Sequence, residues 1–274
     1  MARSSSLDAV SIVNDEADRL AATLPFLERG VHALIEKPMA LTIDAATELT
    51  AQAHEAGVYI MPGHLLRFDS RVATLKQRID QGELGAIRSV YARRLLPRGR
   101  YSKYARNHSA LMAGIHDYDL ANWFFDAQPV VVRASRVDSP VPTAPDLLWA
   151  MLEYPGDRLA MVETAWVLPD GAGMWLEAEV EVIGSEGVAH LHFPGDTLSL
   201  YLPSGHERPD TTAVVDALGQ PVGSLVDELV YFARCVAEGE PPTRVTPADG
   251  IASLRTALAV ARAATTNSPV QTVP

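Results

Sequence analysis

The stretch "HALIEKPMALTIDAATELTAQAHEAGVYIMPGH", residues 32–64, decides how the chain is organised. A short apolar run ends in Glu36-Lys37-Pro38. A proline excludes the helical region for the residue before it, so Lys37 stands in extended backbone where a strand stops. Lysines are seldom buried without a partner, so one at a strand end next to an acid asks for a task. "TIDAATELTAQAHEAG" follows as a helix, with Thr42 or Asp44 as candidate N-caps and Gly57 as its stop. "VYIMPGH", residues 58–64, is the next strand.

Working back from this stretch, "AVSIV" (9–13) is a continuous apolar run of the kind found in strands covered on both faces. "DEADRLAATLPFLERG" places Leu20, Leu24, Phe26 and Leu27 near helical spacing and ends at Gly30. The order is strand-helix-strand-helix-strand with short links, half of a doubly wound parallel sheet, over residues 1–68. Working forward, the pattern changes. "DSRVATLKQRIDQGELG" reads as a helix, "AIRSVYARRLLP" as a strand and "LMAGIHDYDLANWFFD" as a helix with an apolar face. Long alternating runs follow, broken by turn residues such as Pro155-Gly156-Asp157, and imply antiparallel hairpins. Helices around 222–238 and 246–264 close the chain. Residues 69–274 are therefore expected to form an α+β domain with a large, mostly antiparallel sheet.

The composition is that of a globular protein, with 47% apolar and 21% charged residues in 274. A formal net charge of −11 argues against nucleic acid or an anionic membrane as partner. No run reaches the length of a membrane span, and the start has acids too early for a secretion signal. Cys235 is the single cysteine, which excludes an internal disulfide and suits a reducing compartment. A cytoplasmic location is the expectation.

Parallel α/β units bind ligands beyond the carboxyl ends of their strands. Three features stand at such ends: Asn14-Asp15, Glu36-Lys37-Pro38 and Gly63-His64. A partly desolvated lysine there can move a proton to or from a substrate oxygen; the plain alternative is a solvated charge beside a turn proline. In "GIHDYDL", His116 and Asp119 lie three apart on one helical face, where the carboxylate could orient the ring. From Gly85 to His116 there are seven basic residues, among them Arg93, Arg94, Arg98, Arg100 and Lys103, and no acid, with Tyr91, Tyr101 and Tyr104 interleaved. That reads as a pocket wall for a phosphate or carboxylate, or as a solvated edge strand and loop. His190 and His192 share a strand face but lack a third ligand at metal-site spacing, so no metal is expected.

Taken together, these motifs resemble the Gfo/Idh/MocA family of NAD(P)-dependent oxidoreductases, in order and over nearly the whole chain. "DAVSIVNDEAD" is similar to the family's fourth sheet strand, "GVHALIEKPMALTIDAATELTAQAHEAGVYIMPGHLLRF" to its Glu-Lys-Pro region and Arg-Phe ending, and "GIHDYDLANWF" to its histidine helix. The resemblance implies a partial Rossmann-like sheet, NAD or NADP as cofactor, and hydride transfer at a secondary alcohol or ketone of a sugar-like or inositol-like substrate that could be anionic. It assigns Lys37 and His116 to catalysis, Glu36 and Pro38 to the cofactor edge, and Asn14 to the loop that touches the pyrophosphate side of the cofactor. Arg67, Arg100, Tyr101 and Asp119 fall to the substrate, and a homodimer or tetramer is implied.

Two departures accompany it. Many members carry Asp four residues before the histidine; here that residue is Met112, leaving Asp119 or Asp117 to steady the ring. The family also opens with a glycine-rich loop and a ribose-binding acid, whereas here the first glycine is Gly30, which closes a helix. The expectation is a chain that begins at the family's fourth strand, either as a truncated member or as one that has lost conventional cofactor binding, and that holds a dinucleotide weakly. The alternative function is a non-enzymatic relative acting as an assembly partner.

Overall fold

The computed structural model describes residues 7–137, 140–141, 143–193, 198–203 and 205–272. The opening "MARSSS", part of the stretch read as carrying no secretion signal, lies outside them. A three-stranded parallel sheet comes first, built from β1 (Ala9–Ile12), β2 (His32–Glu36) and β3 (Ile60–Gly63) in that spatial order. In β2 the three central residues are buried, as expected of a strand covered on both faces. Helices α1 (Arg19–Leu27) and α2 (Ile43–Glu55) supply the crossovers. The α2 N-cap is Thr42, whose hydroxyl accepts from the Ala45 N–H at 3.2 Å.

A 3-10 turn (Leu65–Phe68) and α3 (Ser70–Asp80) lead into β4 (Ile87–Pro97). After a helical turn, α4 (Tyr101–Tyr104), residues Ala110–Gly114 form a π-helical turn that runs directly into α5 (Ile115–Phe125). The strands β5 (Val131–Arg136), β6 (Leu147–Tyr154), β7 (Arg158–Leu168), β8 (Glu177–Gly184) and β9 (Val188–Phe193) complete most of a second sheet. Two small ribbons follow: β10 (Leu200–Leu202) with β11 (Gly205–Glu207), and β12 (Val215–Ala217) with β13 (Gln220–Val222). The chain ends in α6 (Ser224–Glu238), α7 (Pro247–Thr266) and β14 (Val270–Gln271).

The second sheet has seven strands in the order β14-β5-β6-β7-β4-β8-β9, antiparallel except where β4 meets β7. The β6–β7 link is the Pro155-Gly156-Asp157 turn, in which Gly156 and Asp157 both take positive φ. Along β6, Leu148, Ala150, Leu152 and Tyr154 point to the core, and Trp149 and Met151 point outward. Helices α5 and α7 cover the inner face. The α7 N-terminus carries a full capping box between Thr246 and Asp249, with Pro247 in its first turn.

The C-terminal helices return to the first sheet. Phe232 of α6 packs with Leu34 and Met61, and α7 touches α2 and β3. Residues 69–274 therefore carry the seven-stranded sheet and also roof the parallel one. The carboxyl ends of β2 and β3 consequently face the start of α5.

Candidate active site

Lys37 leaves the end of β2 and donates from Nζ to the Met112 carbonyl at 2.7 Å. That carbonyl belongs to the π-helical turn, whose wider hydrogen-bond spacing leaves backbone groups open to outside donors; such turns are common at functional sites. The Glu36 carboxylate accepts from the Lys37 backbone N–H at 3.0 Å. Gly63, opposite Glu36 in the β2–β3 register, gives it room: a Cβ there would stand 3.3 Å from the Glu36 Cα. The Lys37–Pro38 peptide is cis, and the Pro38 carbonyl accepts a hydrogen bond from Arg19.

Lys37 and His116 line one cavity of about 780 Å³, with Met112 between them. Burial lowers the Lys37 ammonium from its ordinary 10.5 to about 8; Glu36 opposes this and Arg19 and Arg94 add to it. Burial, with Lys37, Arg94 and His64 nearby, also holds His116 well below its ordinary value. The site thus offers a lysine that exchanges its proton near physiological pH beside a neutral imidazole.

The carboxylates of "GIHDYDL" do not serve His116. Asp117 takes a two-bond grip from Arg94 at 2.8 Å each, and Asp119 takes one from Arg67 at 2.7 and 2.9 Å. The His116 Nδ1 is buried without a hydrogen-bond partner among the described residues. The reason lies on the neighbouring elements: each carboxylate meets a planar guanidinium that satisfies both its oxygens. Asp119 therefore neither steadies the ring nor reaches the cavity.

Arg67 and Tyr101 are placed away from the cavity as well. The Arg67 guanidinium is buried, lies 3.2 Å from Asp249 as well as on Asp119, donates to the Arg244 carbonyl and stacks on Trp123. The Tyr101 hydroxyl donates to the Ala144 carbonyl. Asn14 sits after β1 with its Oδ1 buried and unpartnered among the described residues. Of the basic stretch, Arg93 faces Glu177 and Glu179, and Arg106 grips Glu16 at 2.7 and 2.9 Å. Burial pushes Glu16 up, but the Arg106 bonds outweigh it and hold that carboxyl low. Arg100 alone of the residues assigned to the substrate is in the cavity wall, its guanidinium over the Trp175 ring at 5.9 Å.

Other residues complete the site without having been singled out. Trp166, Trp175, Tyr104 and Phe193 wall the cavity, and Trp166 stacks on Tyr104 at 5.0 Å. Ser224, at the start of α6, lines it too. One turn along α6, Glu228 is 1% exposed with its Oε1 unpartnered among the described residues. Burial, with Glu36 adding to it, pushes Glu228 up to about 9. Its sequence signal is an acid between Ser224 and Phe232 at helical spacing, on the face that packs inward. His64, at the β3 end, lies 3.0 Å from the Ser253 hydroxyl and 3.7 Å from Asp119.

The family model described as "Oxidoreductase family, NAD-binding Rossmann fold" matches residues 1–64, and that of the GFO/IDH/MocA C-terminal domain matches residues 72–190. The chain belongs to the Gfo/Idh/MocA family. Its fold is that of the family's dehydrogenases: scyllo-inositol dehydrogenase from Lactobacillus casei, solved with NAD(H) and scyllo-inositol, superposes with a TM-score of 0.82 at 21% identity. That match covers 99% of this chain and 82% of the other. In sequence the chain is 25% identical to scyllo-inositol 2-dehydrogenase (NAD(+)) of Bacillus subtilis, over 97% of its own length and 78% of the relative's. It is 26% identical to D-xylose 1-dehydrogenase [NADP(+)] of Haloarcula marismortui, over 98% and 76% respectively. The family binds NAD(P), and its Rossmann-like sheet is the three-stranded one here. The pairs His190–Glu181 and His192–Glu179 are exposed cross-strand contacts, and no group of three metal-ligating side chains occurs among the described residues. Among those residues, too, no helix is long and apolar enough to cross a membrane.

Proposed function

We propose that the chain carries the catalytic site of an NAD(P)-dependent dehydrogenase acting on a secondary alcohol, or the matching ketone, of a cyclic sugar-like or inositol-like substrate. The observation that carries this reading is the convergence of Lys37, from the parallel sheet, and His116, from the second domain, on one cavity. In the oxidative direction the neutral Lys37 amine takes the hydroxyl proton while the Met112 carbonyl fixes the direction of Nζ. His116, neutral and in the same wall, hydrogen-bonds the reacting oxygen. Nicotinamide, when bound, supplies the acceptor for the hydride that leaves the carbinol carbon.

The residues present suit the nicotinamide end of that cofactor. Glu36 and Pro38 stand at the strand end where it would sit, and we place Asn14, whose Oδ1 is buried and unpartnered among the described residues, toward the pyrophosphate side. The competing reading, an assembly partner that holds no dinucleotide, is favoured by Met112, which stands where many members carry an acid. Assembly itself has a candidate surface in the outer face of the seven-stranded sheet, where Trp149 and Met151 point away from the core. We read that face as the contact of a homodimer or tetramer.

The test is turnover of a panel of inositols, aldoses and their carboxylated derivatives with NAD⁺ and NADP⁺, followed by absorbance of the reduced nicotinamide. Lys37→Ala is expected to lower kcat by roughly 10²–10⁴-fold. An unchanged kcat would remove Lys37 from the chemistry.

A further inference from the structure

We infer that the cavity is built for a ring alcohol that carries one carboxylate and presents an apolar or unsaturated face, and not for a neutral polyol. The inference rests on the dehydrogenase reading of the same site and names its substrate class.

The first ground is the state of the polar side chains in the wall. Arg94 has both its working N–H groups on Asp117. Asp69 holds Arg71 and caps α3, and Asp210 accepts from the backbone N–H groups of Thr212 and Ala213 and from the Thr212 hydroxyl. Each of these groups is already satisfied by protein. Those without a hydrogen-bond partner among the described residues are Lys37 beyond its single bond to Met112, His116, Arg100, the Ser224 and Tyr104 hydroxyls and the Trp166 and Trp175 indole N–H groups. Lys37 and His116 are taken by the reacting hydroxyl. Ser224, Arg100, the Tyr104 hydroxyl and two indole N–H donors are left for everything else on the ligand, and Arg100 alone of these is charged.

The second ground is the rest of the wall. Trp166, Trp175, Tyr104 and Phe193 present ring faces and edges, with leucines and Met112 between them. A polyol with a hydroxyl on every ring carbon would turn most of them onto aromatic surface. Each buried hydroxyl left unpaired costs about 1–3 kcal/mol. A ring with a largely apolar face stacks on the indoles instead.

The third ground is charge. Arg100 stands over Trp175 with no carboxylate against it among the described residues, although the chain has a net charge of −11. Three others of the basic stretch have found acids from other segments: Arg93 has Glu177, Arg94 has Asp117 and Arg106 has Glu16; of the two arginines in the cavity wall, Arg94 is thus taken and Arg100 is not. An aromatic-backed guanidinium left free in a cavity wall is a receptor for a planar anion, and a carboxylate matches its fork. Arg100 also lines a neighbouring open cleft with Asp170 and Glu207, so the anion would approach from solvent on that side.

The experiment needs no cofactor. Quenching of tryptophan fluorescence, checked by calorimetry, is measured on the full chain with four probes: shikimate, methyl shikimate, myo-inositol and glucuronate. Shikimate is a hydroxylated cyclohexene carboxylate and its ester is the neutral analogue. Shikimate is expected to bind most tightly, with the ester weaker by about tenfold or more, the loss for one charge-assisted hydrogen bond. Glucuronate should be weaker than shikimate and myo-inositol weakest. Arg100→Met should remove the preference for shikimate over its ester while leaving the ester's own affinity unchanged. The inference is overturned if myo-inositol binds more tightly than shikimate, if acid and ester bind alike, if Arg100→Met weakens both equally, or if no probe binds. The dehydrogenase reading fails separately. Tight shikimate binding without turnover of any alcohol in the panel would sink that reading and leave the binding class standing. Turnover restricted to neutral polyols would do the reverse.

Discussion

Replacing Lys37 with methionine should make the protein more stable at neutral pH, and the gain should vanish in alkali. Burial lowers the ammonium from 10.5 to about 8, so the folded state holds that proton less tightly than the unfolded chain does. At about 1.4 kcal/mol per pH unit, the folded state carries a penalty of about 3 kcal/mol while the lysine is charged. The sign follows from proton counting. Below about 8 the lysine is protonated in both states and the full penalty applies. Between about 8 and 10.5 the folded protein has released the proton and the unfolded chain has not, so stability rises with pH. Methionine has nearly the same length and no charge to desolvate. Against this gain stands the lost Nζ bond to the Met112 carbonyl, worth roughly 1–2 kcal/mol. The net expectation for Lys37→Met is about 1–2 kcal/mol of added stability at pH 7.

Urea unfolding of both proteins at intervals from pH 6 to 10.5 measures it. The wild-type curve should climb relative to the variant above about pH 8 and overtake it. An independent readout is direct: the chain has three lysines, so 13Cε-lysine labelling gives three signals, and the one missing from Lys37→Met is Lys37. That signal should titrate near 8. Parallel stability curves, or a Lys37 midpoint above 10, would refute the desolvation argument and with it the proton-transfer role.

Glu228→Gln tests the opposite sign. An acid raised from 4.5 to about 9 keeps its proton in the fold, so wild-type stability should fall relative to the variant as pH climbs from about 4.5 to 9, and a constant difference across that window would contradict it. Asp119→Asn leaves the buried Arg67 with one fewer acceptor and should cost roughly 3–5 kcal/mol in chemical unfolding, whereas a loss under 1 kcal/mol would show that Asp249 suffices. Arg93→Gln, whose partners are Glu177 and Glu179 outside the cavity, should leave KM unchanged, in contrast to Arg100→Met; equal rises would return the whole basic stretch to the pocket wall.

The local signals in residues 9–64 were legible because each had a short-range cause. Apolar runs of strand length, Thr42 as cap, Gly30 and Gly57 as stops, and Pro38 after Lys37 all act within a few residues, and β1, α1, β2, α2 and β3 formed where they pointed. The pairing of Lys37 with His116 came through resemblance; the sequence separates them by 79 positions and only tertiary packing joins them. The fates of the charges were not legible. Asp119 looked like the orienting partner of His116 because helical spacing puts them on one face, yet spacing cannot show that Arg67, 52 residues upstream, arrives to hold it. The basic stretch looked like one feature because it is contiguous. The fold disperses it: alternate residues of β4 face opposite ways and meet acids from β8 and α5, and Arg106, beyond α4, meets Glu16 after β1.

That dispersal bears on the chemistry. A carboxylate beside His116 would favour the charged imidazole and a protonated Lys37, as nearby anions do. With Asp117 and Asp119 both held by arginines, the nearest charges acting on His116 are Lys37 and Arg94, and both disfavour the charged ring. The reacting hydroxyl therefore meets a neutral imidazole and a lysine half-deprotonated near pH 8. In place of a carboxylate, the backbone carbonyl of Met112 positions the amine and adds no charge. Such a site is short of negative charge, and Arg100 adds a further free cation to the same wall. An anionic substituent on the substrate would supply what the protein leaves out. It would also raise the Lys37 pKa on binding, moving the amine toward the protonated form that donates to a ketone. At neutral pH the amine is already mostly protonated, so the effect falls on the alkaline limb: the rate of reduction against pH should hold to a higher pH for the carboxylated ring than for a neutral analogue, and coincident limbs would refute it.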